Sequence, residues 1–318
     1  MPHDDQTIPD DSTAPDDSTA PDDATAPASP SAAIRRALVL GGGGVAGIAW
    51  ETGLVAELLD RGIRLADADV VVGTSAGSVV ATGLRAGSLE RSYAAYVADE
   101  PSGEAGAPEP SGGRDLARTT AVITAGVAST EGEAAARRTI GELALEDYQR
   151  SDDKASLARI RPLLPGPDWP EGELRITAVD AKTGHFTVFD RDSGADLASA
   201  VAASCAVPGV FSPVTIEGSP YMDGGMRSAT NADVAADCAR ILVIACGPEP
   251  TVSGTGPTLP ATIETLRGQS EIFVVQPDDA SARAFGTNPL LVGTRTPAAE
   301  AGRRQADAVA DAVRAFWG

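Results

Sequence analysis

Twice near its start the chain drives a short, wholly apolar run into a glycine turn and out again into a stretch with helical period. Ala37-Leu38-Val39-Leu40 leads into Gly41 to Gly44 and then into Trp50, Leu54, Val55, Leu58 and Leu59. Val70-Val71-Val72 leads into Gly73-Thr74-Ser75-Ala76-Gly77 and then into Val79, Val80 and Leu84. A strand with no polar alternation must be covered on both faces, and helices that follow such strands directly supply the cover. The pattern predicts an α/β fold of three layers, α/β/α, with a central, mostly parallel sheet.

The rest of the chain extends that frame. Gly62 and Gly87 stand where helices end, and Ser88 is expected to cap a helix presenting Leu89, Tyr93, Tyr96 and Val97. Leu174–Val179 and Phe186–Phe189 flank a glycine-containing turn and predict a hairpin, while Ile241–Ile244 and Ile272–Val275 predict two more buried strands. Thr296 and Pro297 open a last helix with Val309, Val313 and Phe316 on one face. Residues 99–113 are too rich in Pro, Gly, Ser and Glu to pack and predict a mobile surface excursion. Thr130 and Glu133 have capping-box spacing, which makes 114–150 helical and 99–150 as a whole a lid-like insertion.

Before all of this, residues 4–27 repeat a six-residue Asp/Pro/Thr/Ala unit four times. Proline in every unit and almost no large apolar side chain predict a disordered acidic tail over 1–33, with one domain over 34–318. The tail holds eight of the acids behind the net charge of −20, leaving −12 on the domain. A surface this acidic repels phosphate backbones and anionic lipid, so nucleic acid is excluded as a partner and constitutive docking on acidic membranes is disfavoured. Cys205, Cys238 and Cys246 are scattered and odd in number, as reduced thiols of a cytoplasmic protein would be. Neither a signal peptide nor a transmembrane segment is expected.

Chemistry concentrates at the two glycine turns. Gly73-x-Ser75-x-Gly77 between a β-branched strand and a helix is the context in which a serine is exposed on a sharp turn as a nucleophile. The bland alternative is a helix cap by Ser75. Gly41 to Gly47 fits two functions: a dinucleotide fingerprint at Gly42, Gly44 and Gly47, or a cradle of backbone N–H groups for an oxyanion. The fingerprint needs an acid at the carboxyl end of the second strand, but Asp67 and Asp69 precede that strand. The oxyanion reading explains both turns at once, because they follow neighbouring strands. A serine needs a base, and the chain has only two histidines, His3 and His185. His185 falls in a predicted hairpin turn, so the base is expected to be an aspartate, either Asp180 or Asp223 in Asp223-Gly224-Gly225.

With Gly42-Gly43-Gly44-Val45-Ala46-Gly47, Gly73-Thr74-Ser75-Ala76-Gly77 and Asp223-Gly224-Gly225 in that order, the chain resembles the patatin-like phospholipases, lipid acyl hydrolases with a Ser-Asp dyad. The stretch from Ala203 through Pro208 to Phe211 is similar to the segment that precedes the family's catalytic Asp. The resemblance implies a patatin-like fold, Ser75 as nucleophile, Asp223 as base, and an oxyanion hole from Gly42, Gly43, Gly44 and the Ala76 N–H. It implies no metal and no cofactor. The implied substrates are carboxylic esters of phospholipids, lysophospholipids or acylglycerols, met in transient contact with a membrane surface. The family commonly has Arg or Lys where this chain has Ala46. Two rival readings are a dinucleotide- or phosphate-binding protein using Gly41–Gly47, and a family member that binds lipid without turnover.

Overall fold

A computed structural model of the chain describes residues 34–98, 114–128, 132–148, 153–251 and 253–318. The acidic repeat of 1–33, the excursion of 99–113 and Thr130 of the capping box lie outside the described residues. The strands are β1 (Arg36–Leu40), β2 (Val70–Thr74), β3 (Glu173–Asp180), β4 (Phe186–Phe189), β5 (Val214–Ile216), β6 (Ser219–Asp223), β7 (Arg240–Ile244) and β8 (Glu271–Val275). They form one sheet in the order β5-β6-β3-β2-β1-β7-β8, with β4 paired to β3. From β3 to β8 the pairings are parallel, whereas β4 and β6 pair with β3, and β5 with β6, in antiparallel sense. The mixed α/β architecture with a central, mostly parallel sheet is therefore as expected.

Helices α1 (Gly44–Asp60), α2 (Ala76–Arg85) and α3 (Leu89–Val97) follow the first two strands. Next come α4 (Arg114–Val127), α5 (Glu133–Tyr148), α6 (Asp153–Ile160) and α7 (Leu197–Ser204). The chain closes with α8 (Leu259–Thr265), α9 (Asp279–Phe285) and α10 (Arg295–Trp317). Alternation along the strands divides their side chains between two cores. Leu38, Leu40 and Val71 join α1, α2 and α10 on one face, while Ala37, Val39, Val70 and Val72 meet Ala232, Ala235 and α8 on the other. A third cluster joins Val122 of α4 and Ile140 of α5 to Val179 and Met222 at the antiparallel end of the sheet.

Gly62 and Gly87 adopt φ of 77° and 64° just past α1 and α2, the left-handed stop a glycine permits. Ser88 does stand at the start of α3, but its hydroxyl makes no cap; it donates to Gly83 O at 3.3 Å instead. That bond ties the α2–α3 turn closed and takes the hydroxyl away from the α3 N–H groups.

Candidate active site

Register alone brings the two glycine turns together. Leu40 pairs with Gly73, so the Gly41–Gly44 loop and the Ser75 turn leave the same edge of the sheet. Gly77 N–H donates to Gly41 O at 2.9 Å, locking one turn to the other. A methyl group on Gly77 would lie 2.1 Å from Leu40 O, and one on Gly73 2.6 Å from Ser78 Cα, so both positions require glycine. Between them Ser75 is held at φ 51° and ψ −116°, a strained conformation for a residue with a side chain. Its hydroxyl makes no helix cap. Ser75 N–H donates to Ser204 Oγ at 2.9 Å, and Ser75 O accepts from Ser78 Oγ at 2.7 Å. The surrounding structure thus determines the strained turn from both sides.

Asp223 arrives by the same logic. Thr74 pairs with Thr177 on β3, and the next β3 residue, Ala178, pairs with Asp223 at the end of β6. Asp223 N–H donates to Ala206 O at 3.0 Å, and its Oδ1 accepts Gly225 N–H at 2.7 Å. The carboxylate is 2% exposed. Burial raises its pKa to about 6, opposed by the Ser75 hydroxyl, the Gly225 N–H and the charge of Arg159 on α6. Oδ2 is sealed from solvent and makes no well-directed hydrogen bond with a described residue. Ser75 and Asp223 are therefore neighbours, the Ser75 hydroxyl being close enough to act on the Asp223 carboxyl.

The other candidates are placed elsewhere. Asp180 Oδ1 accepts the N–H groups of Lys182 and Thr183, both at 2.8 Å, so it organises the β3–β4 turn. His185 is exposed in that turn. Of the glycine loop, Gly42 N–H is already given to Ala229 O at 2.8 Å and is not a free donor. This corrects the expectation that Gly42 supplies one. The N–H groups of Gly43, Gly44 and Ala76 donate to no described residue. The start of α1 is covered: Ala46 N–H donates to Pro289 O at 2.9 Å, and a methyl on Gly44 would meet Leu290 Cδ2 at 2.9 Å. Asp69 accepts Arg36 N–H at the opposite end of β1.

Two supports escape sequence reasoning. Asn231, fully buried at φ 47°, aims Nδ2 at Ser228 O (2.8 Å), Thr74 Oγ1 and Gly224 O (both 3.1 Å). It joins the strand before Ser75 to the turn after Asp223. Glu51 of α1 is also fully buried and accepts Gly41 N–H at 2.9 Å. It stands behind the glycine loop, and burial pushes its pKa well above the ordinary carboxylate value. Neither residue sits in a motif, and only the tertiary contacts reveal them.

Residues 38–236, well over half of the chain, match the sequence profile of the patatin-like phospholipases. The chain matches no curated protein sequence. Among solved structures it is similar to VipD from Legionella pneumophila, with 16% identity and a TM-score of 0.38, covering 89% of this chain and 68% of that one. It is also similar to the type III effector protein ExoU, with 14% identity and a TM-score of 0.32, covering 88% of this chain and 53%, about half, of that one. Resemblances that distant carry no mechanistic weight, and the assignment rests on the matched profile: the chain belongs to the patatin-like phospholipase family of lipid hydrolases.

Proposed function

We propose that this enzyme cleaves carboxylic esters of phospholipids, lysophospholipids or acylglycerols through an acyl-enzyme on Ser75. The observation that carries the reading is the strained Ser75 turn set beside a buried Asp223 with one oxygen uncommitted. Ser75 Oγ attacks the ester carbonyl while Asp223 takes the hydroxyl proton. The carbonyl oxygen becomes an oxyanion met by the unspent N–H groups of Gly43, Gly44 and Ala76. As the intermediate collapses, the C–O bond to the alcohol breaks and Asp223 returns the proton to the departing oxygen. Water repeats the sequence on the acyl-enzyme, leaving a carboxylic acid and free Ser75. Backbone donors do the work at the oxyanion, so Ala46 in place of a basic residue removes none of them.

The dinucleotide alternative is disfavoured because a pyrophosphate at the α1 N-terminus would have to displace Pro289 and Leu290, and Asp69 stands at the opposite end of β1. No described helix is long and apolar enough to cross a membrane, and we take lipid contact to be transient. The unpaired thiols of Cys205, Cys238 and Cys246 fit a cytoplasmic setting.

A fluorophosphonate probe tests the proposal. Wild-type protein is expected to gain one adduct that peptide mapping assigns to Ser75, and Ser75→Ala protein to gain none. Folded wild-type protein that takes no adduct would overturn the hydrolase mechanism.

A further inference from the structure

Sheltered arginines in this fold are generally well matched. Arg175 is met by Glu173 and Asp237, Arg227 by Asp233 and Asn231, and Arg303 by Glu57, Asp60 and Glu90. Arg159 is different. Its guanidinium lies 3.7 Å from the centre of the Phe211 ring, and its one hydrogen bond among the described residues is a long one, 3.4 Å from Nη2 to Cys205 O. Nε is shielded from solvent and donates to no described residue. The cation is thus held flat on an aromatic face with most of its fork unused.

Its position gives those donors meaning. Cys205 and Phe211 bracket the segment whose Ala206 O anchors Asp223 N–H, and Arg159 and Asp223 feel each other's charge. Among the described residues Asp223 is the one carboxylate whose charge reaches Arg159, and its Oδ1 is already held by Gly225. A purely structural arginine is closed by carboxylates or, as Arg85 and Arg137 are, by short bonds to several carbonyl oxygens, because an under-matched buried cation destabilises the fold. A planar fork stacked on an aromatic ring and partly stripped of water is suited to a phosphate oxyanion. In a glycerophospholipid the phosphate is joined to the scissile ester by a short glycerol linkage.

We propose that Arg159, fixed by the Phe211 ring, is the subsite for the phosphodiester of a glycerophospholipid substrate, a reading that rests on the hydrolase function above. The net charge of −12 on the domain favours a zwitterionic headgroup such as phosphocholine over a net anionic one.

The test compares dihexanoyl phosphatidylcholine with the uncharged ester p-nitrophenyl hexanoate, both hydrolysed by the full chain at about pH 8. In Arg159→Gln the ratio of kcat/KM for the phospholipid to that for the uncharged ester is expected to fall about 30-fold, as loss of a charged hydrogen bond implies. Arg159→Lys should fall less, because it keeps the charge and loses the fork. Should Arg159→Gln fail to fold, Phe211→Leu carries the test with an expected fall of about 5-fold, since it frees the guanidinium without removing it. A second arm needs no turnover: a diether phosphocholine should bind Ser75→Ala protein more tightly than the same protein with Arg159→Gln, by a similar factor.

Equal losses on both esters with unchanged diether binding would overturn the subsite and leave the hydrolase standing, Arg159 then acting only through Asp223. Wild-type protein that hydrolyses neither ester would overturn the hydrolase, and the subsite would be decided by the binding arm alone. Inorganic phosphate that competes as well as the diether lipid would overturn the lipid assignment in favour of a free phosphate.

Discussion

Replacing Asp223 by Asn is expected to lower kcat/KM for a carboxylic ester by about a thousandfold and, at about pH 8, to make the protein more stable. The loss follows from the base. Asn keeps the shape and can still accept the Gly225 N–H, but it cannot take the Ser75 proton, and a positioned general base contributes about 10²- to 10⁴-fold. The gain follows from burial. The native carboxyl has its pKa raised to about 6 from the ordinary 3.8, so between those values the folded state holds a proton that the unfolded chain releases. Stability therefore falls as pH rises through that window. Above it the native state carries the full cost of a buried carboxylate, about 3 kcal/mol. Asn removes that cost at high pH and changes far less at about pH 4, where the native acid is neutral and the unfolded one is only about half ionised.

The same titration shapes the wild-type profile. kcat/KM should rise with pH through about 6 and level off, because the base works only when ionised. Urea unfolding of wild type and Asp223→Asn at about pH 4 and pH 8, with kcat/KM across the same range, measures all three expectations. If Asp223→Asn keeps more than about a tenth of the wild-type rate, Asp223 is not the base. If its stability gain is the same at both pH values, the buried charge is not its source.

How much of this was legible depended on how local the cause was. β1 and β2 are buried on both faces, and their unbroken apolar runs say so without reference to any partner. The Ser75 turn was legible because its glycines answer contacts inside the motif and with the strand beside it, such as Gly77 against Leu40 O. Asp223-Gly224 reads as a hairpin turn, yet the hairpin between β5 and β6 turns at Glu217-Gly218, both at positive φ, and Asp223 ends the strand. Glu217 is a poor left-handed residue, so that turn is imposed by its strands and leaves a weak local signal. The Ser204 bond to Ser75 N–H spans 129 residues and the Asn231 bond to Thr74 spans 157, distances over which no periodicity or spacing carries information. The same is true of Arg159, whose importance lies in what fails to meet it.

Gly302→Ala should cost about 3 kcal/mol and lower Tm by about 6–9 °C, although alanine is the better helix former by about 1 kcal/mol. The sign turns on where α10 meets α1. A methyl on Gly302 would lie 2.1 Å from Trp50 O, and one on Gly53 equally close to Ala299 O, so the two backbones touch through paired glycines. The helices have little freedom to yield. Arg303 clamps Glu57 and Asp60 of α1 and Glu90 of α3, and Trp50 Nε1 donates to Gln305 Oε1 at 3.1 Å. Any shift is passed along α1 to its first residues, where Gly43 and Gly44 present their N–H groups, so kcat/KM should fall with stability. Gly166, with nothing within 4 Å of the added carbon, is the matched position at which alanine should change stability by less than about 0.5 kcal/mol. Thermal melts of the two variants separate steric contact from loss of glycine itself. A Gly302→Ala protein as stable as wild type would mean that the α1–α10 contact can relax, and that the glycine loop is positioned by Glu51 and Gly77 without help from α10.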